Sequence, residues 1–265
     1  MLSRLSRYTE PKKPIPRRVF LAVGASVGLS VLTVWSILSY GGYVDLDFLP
    51  TPGAVVAAFI DMLADGTLAQ HTWASFVEIM AGFLLSSLIA TPLGVLVGSF
   101  KIVQAAVEPI VNFFRYLPIS ALIPLLILWV GIGIEEKVAI IFLGTFFNQL
   151  IMVADASAEV SPDLLDVSYT LGANRRVVIL RVLLPATMPG IMDTLRVSCG
   201  VAWTYVVIAE LVAAHEGLGY MVLNASRGLF TDQIFVGIVV LGTLGLIFDR
   251  LLQLLKLWLL PWSAA

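Results

Sequence analysis

The sequence predicts an all-α integral membrane protein of about six transmembrane helices, and three observations carry that fold class. Charged residues are scarce: of 265 residues, 13% are charged and 59% hydrophobic, and the mean hydropathy is +0.96. Soluble domains carry roughly 25% charged residues. The charges are also unevenly spread, because segments 19–44, 79–100 and 116–134 contain none, and 138–154 and 233–248 are shorter stretches of the same kind. About 20 apolar residues cross a bilayer core as a helix, and only helices or closed barrels can cross it. The short alternating segments of barrel strands are missing, which leaves helices.

Six spans fit best, near 19–40, 74–99, 106–130, 136–156, 187–213 and 233–259. A basic segment before an apolar one raises the question of a signal peptide. The run from Val19 is too long and shows no clear small-residue cleavage site, so it reads as a retained first span. Lys and Arg gather in short cytoplasmic segments. Arg4, Arg7, Lys12, Lys13, Arg17 and Arg18 therefore place the N-terminus in the cytoplasm, and six spans return the C-terminus there. Lys101, the 157–186 segment with Arg175, Arg176 and Arg181, and Arg250 with Lys256 fall on the same side. Lys137, beside Glu135 and Glu136, and Arg227 lie outside. The chain thus divides into a basic cytoplasmic segment, 1–18, and a transmembrane domain, 19–265.

Between the first two spans, 45–70 is external and contains Phe48-Leu49-Pro50-Thr51-Pro52. Thr51 as N-cap and Pro52 at the first helical position predict a short helix at the outer surface. Between the fourth and fifth spans, Ser161-Pro162-Asp163 predicts a helix start: a capping hydroxyl, a proline at N1 and a carboxylate near the positive helix end. Leu164, Leu165, Ser168 and Leu171 give that helix a small apolar face. Gly172 ends it, since glycine readily takes the left-handed conformation. A second short helix is predicted from Asn174 to near Pro185, carrying Arg175, Arg176 and Arg181. Two amphipathic helices bent at a glycine suit docking into a groove on a soluble partner.

This segment resembles the EAA loop of ABC importer permeases: Asp166-Val167-Ser168, three residues, Gly172, nine residues, then Val182-Leu183-Leu184-Pro185. The family pattern is Glu-Ala-Ala, three residues, Gly, nine residues, Ile, one residue, Leu-Pro. Asp166 replaces glutamate, Val167 and Ser168 replace alanines and Val182 replaces isoleucine, with the spacing kept. Arg115-Tyr116-Leu117-Pro118, Ile123-Pro124-Leu125, Trp129-Val130-Gly131-Ile132-Gly133, Leu171-Gly172-Ala173, Ala209-Glu210-Leu211 and Gly217-Leu218-Gly219-Tyr220-Met221 resemble the nitrate/sulfonate/taurine/bicarbonate branch. The resemblance covers nearly the whole chain. It departs where a common family form has Arg-Pro-Ile-Pro and this chain has Arg-Tyr-Leu-Pro.

The resemblance implies a type I ABC importer permease fold in the inner membrane of a prokaryote. It implies a translocation path built with a second copy or a paralogue, an extracytoplasmic solute-binding protein, and ATP-binding subunits that use ATP and Mg. It implies a solute such as nitrate, bicarbonate or a sulfonate/taurine. It makes the loop the coupling element, with Leu164, Leu165, Asp166, Ser168, Leu171, Gly172, Ala173, Leu184 and Pro185 meeting the ATPase. No Gly-x-x-x-x-Gly-Lys-Ser/Thr loop occurs in the chain, so ATP would be handled by the partner and this chain would bind no cofactor.

Ionisable groups inside a span cost roughly 2.5–3.5 kcal/mol at mid-helix, so each needs a reason. Arg115 sits early in a span whose helix is interrupted by Pro118 and Pro124, and prolines within a span free backbone carbonyls that line cavities. Its planar fork matches an oxyanion; the alternative is an internal pair with Glu108, Glu78 or Asp249. Glu210, after Trp203 and Tyr205 near the outer end of the fifth span, suits a structural or gating role better than an anion path. Asn148 and Gln149 offer amides to a solute or hold helices together. These six residues are the pathway candidates. Trp35, Tyr40, Trp258 and Trp262 read as interfacial anchors, and His215 as loop or rim.

A net charge of −2 gives no reason to expect nucleic acid. A lone Cys199, read as a packing residue, excludes an intrachain disulfide, and two histidines leave no metal cluster. A membrane-embedded enzyme needs a nucleophile–base set or clustered metal ligands at one depth, which are missing. A stand-alone secondary transporter is expected to show two related halves, and no internal repeat is visible.

Overall fold

A computed structural model describes residues 15–263. Among these residues the helices are α1 (Arg17–Tyr40), α2 (Pro52–Ala64), α3 (Thr67–Ser99), α4 (Lys101–Phe114), α5 (Ile119–Val130), α6 (Ile134–Ala158), α7 (Pro162–Thr170), α8 (Leu184–Ala213), α9 (Leu218–Arg227) and α10 (Thr231–Leu259). α1, α3, α6 and α10 are long and apolar enough to cross a membrane, as is the helical run containing α8. Arg4, Arg7, Lys12 and Lys13 lie outside the described residues.

The third expected span is interrupted, as expected, at Pro118, where α4 and α5 meet at an angle of 95°, but not at Pro124. Pro118, at the N-cap of α5 with ψ 114°, cannot donate a backbone hydrogen bond, and it disfavours helix at the residue before it. Pro109 and Pro124 stay inside their helices. The second short helix of the 157–186 segment also differs, because it does not stop near Pro185. Arg175–Val177 is followed by a π-helical stretch, Val178–Leu183, that runs directly into α8. In an α-helix the ring of Pro185 would press on the carbonyl four residues back. The wider π turn just before it makes room, and the chain continues as a span.

α3 and α6 lie side by side and parallel, and the sequence shows why they come so close. Gly82, Ser86, Ala90, Gly94 and Gly98 recur every fourth residue on one face of α3. Small residues at this spacing let two membrane helices approach to backbone contact. A Cβ at Gly82 would meet Ile141, one at Gly94 would lie 2.7 Å from the carbonyl oxygen of Leu150, and one at Gly98 would meet the Ala154 carbonyl. Between them, Ser86 donates to the side-chain oxygen of Gln149 at 2.9 Å, and the Gln149 amide donates to Ser87 at 3.0 Å.

α8 closes over this pair. Ile79, Phe83, Ile141, Cys199, Ala202, Trp203 and Val206 form one buried cluster, against which α10 sets Leu241, Leu244 and Phe248. Two ion pairs tie α10 to α8 near its first half: Arg196 grips Asp249 bidentately at 2.8 and 2.9 Å, and Lys256 meets Asp193 at 2.7 Å. α1 is peripheral. Trp35 stacks on Phe235 at 5.4 Å and donates to the Pro50 carbonyl, while the Tyr40 hydroxyl accepts from Gly53. Both aromatics, expected as interfacial anchors, thus pin α1 to the start of α2. There Thr51 caps α2 by accepting from Ala54 at 3.1 Å, as its sequence position predicts.

Candidate functional site

Two regions at opposite ends of the bundle hold most of the candidate residues. At the end where α3 and α6 finish, α7 starts at Pro162 with Asp163 in its first turn, but the Ser161 side chain makes no capping bond. The cap here is therefore proline geometry and charge rather than the hydroxyl. α7 ends as glycine allows: Gly172 has φ +86°. The Ala173 amide donates back to Ser168 and the Gly172 amide to Tyr169, at 3.0 and 2.9 Å, a bonding pattern that satisfies the last carbonyls of a helix. Asn174 then restarts the helix, its side chain accepting from Val177.

This bend presents an apolar face to the surroundings. Leu164, Val167 and Leu171 are 45%, 56% and 82% exposed, at helical spacing on a surface where apolar groups need a partner. Asp166 is exposed beside them. Leu165, expected among the docking residues, instead turns inward. It lines a small cleft with Phe100, Tyr169 and Arg175, where the Arg175 guanidinium lies 5.1 Å from the Phe100 ring. Ser168 donates to the Leu164 carbonyl, Ala173 is half-buried, and Leu184 and Pro185 sit half-buried in the first turn of α8.

At the opposite end, the loop between α8 and α9 is held by a polar network. Three successive backbone amides are captured by side chains: Gly217 donates to His71 Nδ1 at 3.2 Å, Leu218 to Ser75 Oγ at 2.8 Å, and Gly219 to Glu210 Oε2 at 2.5 Å. Ser75 in turn donates to Glu210 Oε1 at 2.5 Å. The first amides of any helix lack intrahelical partners, and here residues of α3 and α8 supply them to α9. Glu210 is 1% exposed, so it serves as a cap for a neighbouring helix from within the core.

Behind it lies a buried ion pair, Lys137 with Glu78 at 2.5 Å, with Glu136 fully enclosed beside it. Lys137, at the start of the expected span 136–156, sits in the first turn of α6 and faces α3. Removing one partner of a buried pair costs about 3–5 kcal/mol, because the other charge stays buried and unmatched. Lys137→Met is accordingly expected to lower thermal stability strongly in detergent. The double variant Lys137→Met/Glu78→Met is expected to recover most of the loss. Equal instability of the single and double variants would show that the pair does not carry the interaction.

The pathway candidates do not converge. Trp203 is buried in the core cluster, and Gln149 is enclosed between α3 and α6. The Tyr205 ring covers Gly144, where a Cβ would run into it. Asn148 is exposed on the outside of α6. Arg115 caps the C-terminus of α4 at the bend and donates to the Tyr116 hydroxyl at 2.9 Å. None of the three carboxylates considered as its partner pairs with it, for Glu78 is taken by Lys137 and Asp249 by Arg196, and Glu108 forms no ion pair with it. Arg196, in the fifth span, was not singled out by sequence. The signal was present, since a charge in an apolar stretch demands a partner.

The family model described as "Binding-protein-dependent transport system inner membrane component" matches residues 90–259. The taurine transport system permease protein TauC of Escherichia coli (strain K12) is 32% identical over 262 residues, covering 97% of this chain and 94% of TauC. The putative aliphatic sulfonates transport permease protein SsuC of Bacillus subtilis (strain 168) is 32% identical over 251 residues, covering 95% and 91%. Among solved structures, the inward-facing MetNI methionine ABC transporter matches with TM-score 0.58 at 21% identity, covering 68% of this chain and 92% of that one. An amino acid ABC transporter crystallised with histidines matches with TM-score 0.59 at 14% identity, covering 75% and 97%. With its apolar spans, its helix–glycine–helix segment and this match over most of its length, the chain belongs to the family of inner-membrane permease components of binding-protein-dependent ABC importers.

Proposed function

We propose that this permease forms the path for a small solute bearing an oxyanion group, in the range of nitrate, bicarbonate, a sulfonate or taurine. The permeases for aliphatic sulfonates and for taurine, about a third identical over nearly the whole chain, support that range. α7 and the turn at Gly172 dock into an ATP-binding subunit, which supplies the hydrolysis of ATP with Mg. An external binding protein delivers the solute, and a second copy or a paralogue completes the path. The observation that carries this reading is the outward apolar face of α7, Leu164, Val167 and Leu171, set on a helix bent at a left-handed glycine. In this arrangement the α7 end faces the cytoplasm, and α2, Asp65 and the α8–α9 loop face outward.

Two measurements test it. Purification of the tagged chain is expected to recover an ATP-binding subunit, and uptake into proteoliposomes holding both subunits and a binding protein is expected to require ATP. Solute uptake by the chain alone would overturn the reading in favour of a secondary transporter. For orientation, a cysteine at Asp65 is expected to react with an impermeant reagent in intact cells, and cysteines at Arg7 or Ala264 to remain unlabelled; both of those lie outside the described residues. Labelling at either terminus would contradict the arrangement.

A further inference from the structure

α4 carries a polar stripe. Gln104, Glu108 and Asn112 recur every fourth residue and Arg115 follows one turn later, so all four lie along one side of the helix. Val107 and Val111 turn toward the apolar cluster of Ala90, Val97, Leu150 and Ala154. The stripe faces a cleft of about 540 Å³ whose opposite wall includes Ile151, Ala154 and Asp155 of α6. Tyr116 closes it at the bend.

The charges in this cleft do not neutralise one another. Arg115 bonds only to the Tyr116 hydroxyl, and neither Glu108 nor Asp155 forms an ion pair with a described residue. Elsewhere among the described residues, Lys137 closes on Glu78 and Arg196 on Asp249. A bare oxyanion entering this cleft would meet one guanidinium and two carboxylates, an unfavourable balance. A bare cation would face the guanidinium. A solute with an acid group at one end and an ammonium at the other satisfies both.

We propose that this cleft is a station for a zwitterionic solute, with Arg115 holding its sulfonate or carboxylate and Glu108 and Asp155 holding its ammonium. Glu108 and Arg115 are seven residues apart, about 10 Å of helix rise, a separation that a two-carbon zwitterion covers together with a hydrogen bond of about 2.9 Å at each end. Asn112 lies between them and presents an amide to either end. Arg115 suits the acid end because its planar fork pairs bidentately with oxyanions. The proposal rests on the permease reading above and narrows its solute from any small molecule bearing an oxyanion group to one that also carries an ammonium.

The test uses the purified permease with its ATP-binding subunit and no binding protein, so that only the membrane part contributes affinity. Binding of taurine and of β-alanine is compared by calorimetry with binding of ethanesulfonate and propionate, which lack the ammonium. At least one zwitterion is expected to bind tenfold or more tightly than its analogue. Glu108→Gln and Asp155→Asn are each expected to erase that preference while leaving the analogue's weak binding in place, and Arg115→Gln to weaken all four. Glu108→Asp is expected to restore part of the preference. Equal binding of zwitterion and analogue, or tighter binding of ethanesulfonate by Glu108→Gln with no loss for taurine, would make this a plain anion site. Absence of binding in an assembled complex would remove the station and leave the permease reading intact. Failure of the wild-type chain to assemble with an ATP-binding subunit would instead sink the permease reading itself. If Glu108→Gln or Asp155→Asn blocks assembly while the wild type assembles, the two carboxylates belong to a subunit contact and the station is wrong.

Discussion

Gly172→Val is expected to abolish solute uptake and to reduce recovery of the ATP-binding subunit, with near-normal amounts of the chain in the membrane. The cause is backbone conformation, not crowding: Gly172 has φ +86°, and a Cβ there meets nothing within 4 Å. A left-handed backbone costs an L-residue roughly 1–2 kcal/mol, and a branched Cβ makes that region a true outlier. Relieving the strain means unwinding the bonds from Gly172 to Tyr169 and from Ala173 to Ser168. That would swing Leu164, Val167 and Leu171 away from their common face. The spans are built elsewhere, so insertion should survive. If backbone conformation is the reason, the series is ordered: Gly172→Asn mildest, because asparagine tolerates this region, Gly172→Ala intermediate, Gly172→Val worst. Uptake at wild-type rate by Gly172→Val with the ATPase still bound would show that this turn does not couple the two subunits. Equal damage from Asn and Val would point to a side-chain contact with the partner instead.

The second large effect is expected at the opposite end. Gly217 has φ +118°, and a Cβ on it would run into the Glu210 carboxyl group. Gly217→Val therefore meets two costs together: about 1–3 kcal/mol for a branched residue in a disfavoured backbone region, and displacement of Glu210. Losing Glu210 frees the amide of Gly219 and the hydroxyl of Ser75, both buried. A buried polar group left without a partner costs about 1–3 kcal/mol. α9 should then detach at its N-terminus, lowering thermal stability and stopping transport. Glu210→Leu should reproduce most of this loss, whereas Glu210→Gln, which keeps one acceptor oxygen, should be milder. Melting curves in detergent decide the matter. Wild-type stability of both Gly217→Val and Glu210→Leu would mean that the network does not hold the loop.

Much of the architecture is local information. The charge-free runs locate the spans because the cost of a charge in hydrocarbon is paid residue by residue. Thr51-Pro52 sets the start of α2, and Gly172 with Asn174 sets the bend after α7, because caps and left-handed turns are satisfied within a few residues. The five small residues of α3 were equally readable as a close-packing face, although they attract no attention in a search for polar chemistry. The tertiary structure alone decided the rest. Lys137, beside Glu135 and Glu136 at the start of a span, reads as a residue of the outer end, and its buried partner Glu78, 59 positions earlier, is known only when α3 is placed opposite. Glu210 finds its partners at Ser75, 135 positions away, and at Gly219 across a turn. Leu164 and Leu165 are alike in sequence, yet one faces out and the other in, since only the packing of α7 on Phe100 and Arg175 sets its rotation. Prolines 118 and 124 both announce a break in the third span, but the 95° turn forms at the first. What depends on the chain's own few neighbours can be read along the chain; what depends on which distant group satisfies a buried charge, or on which face a helix turns to its support, is settled when the helices pack.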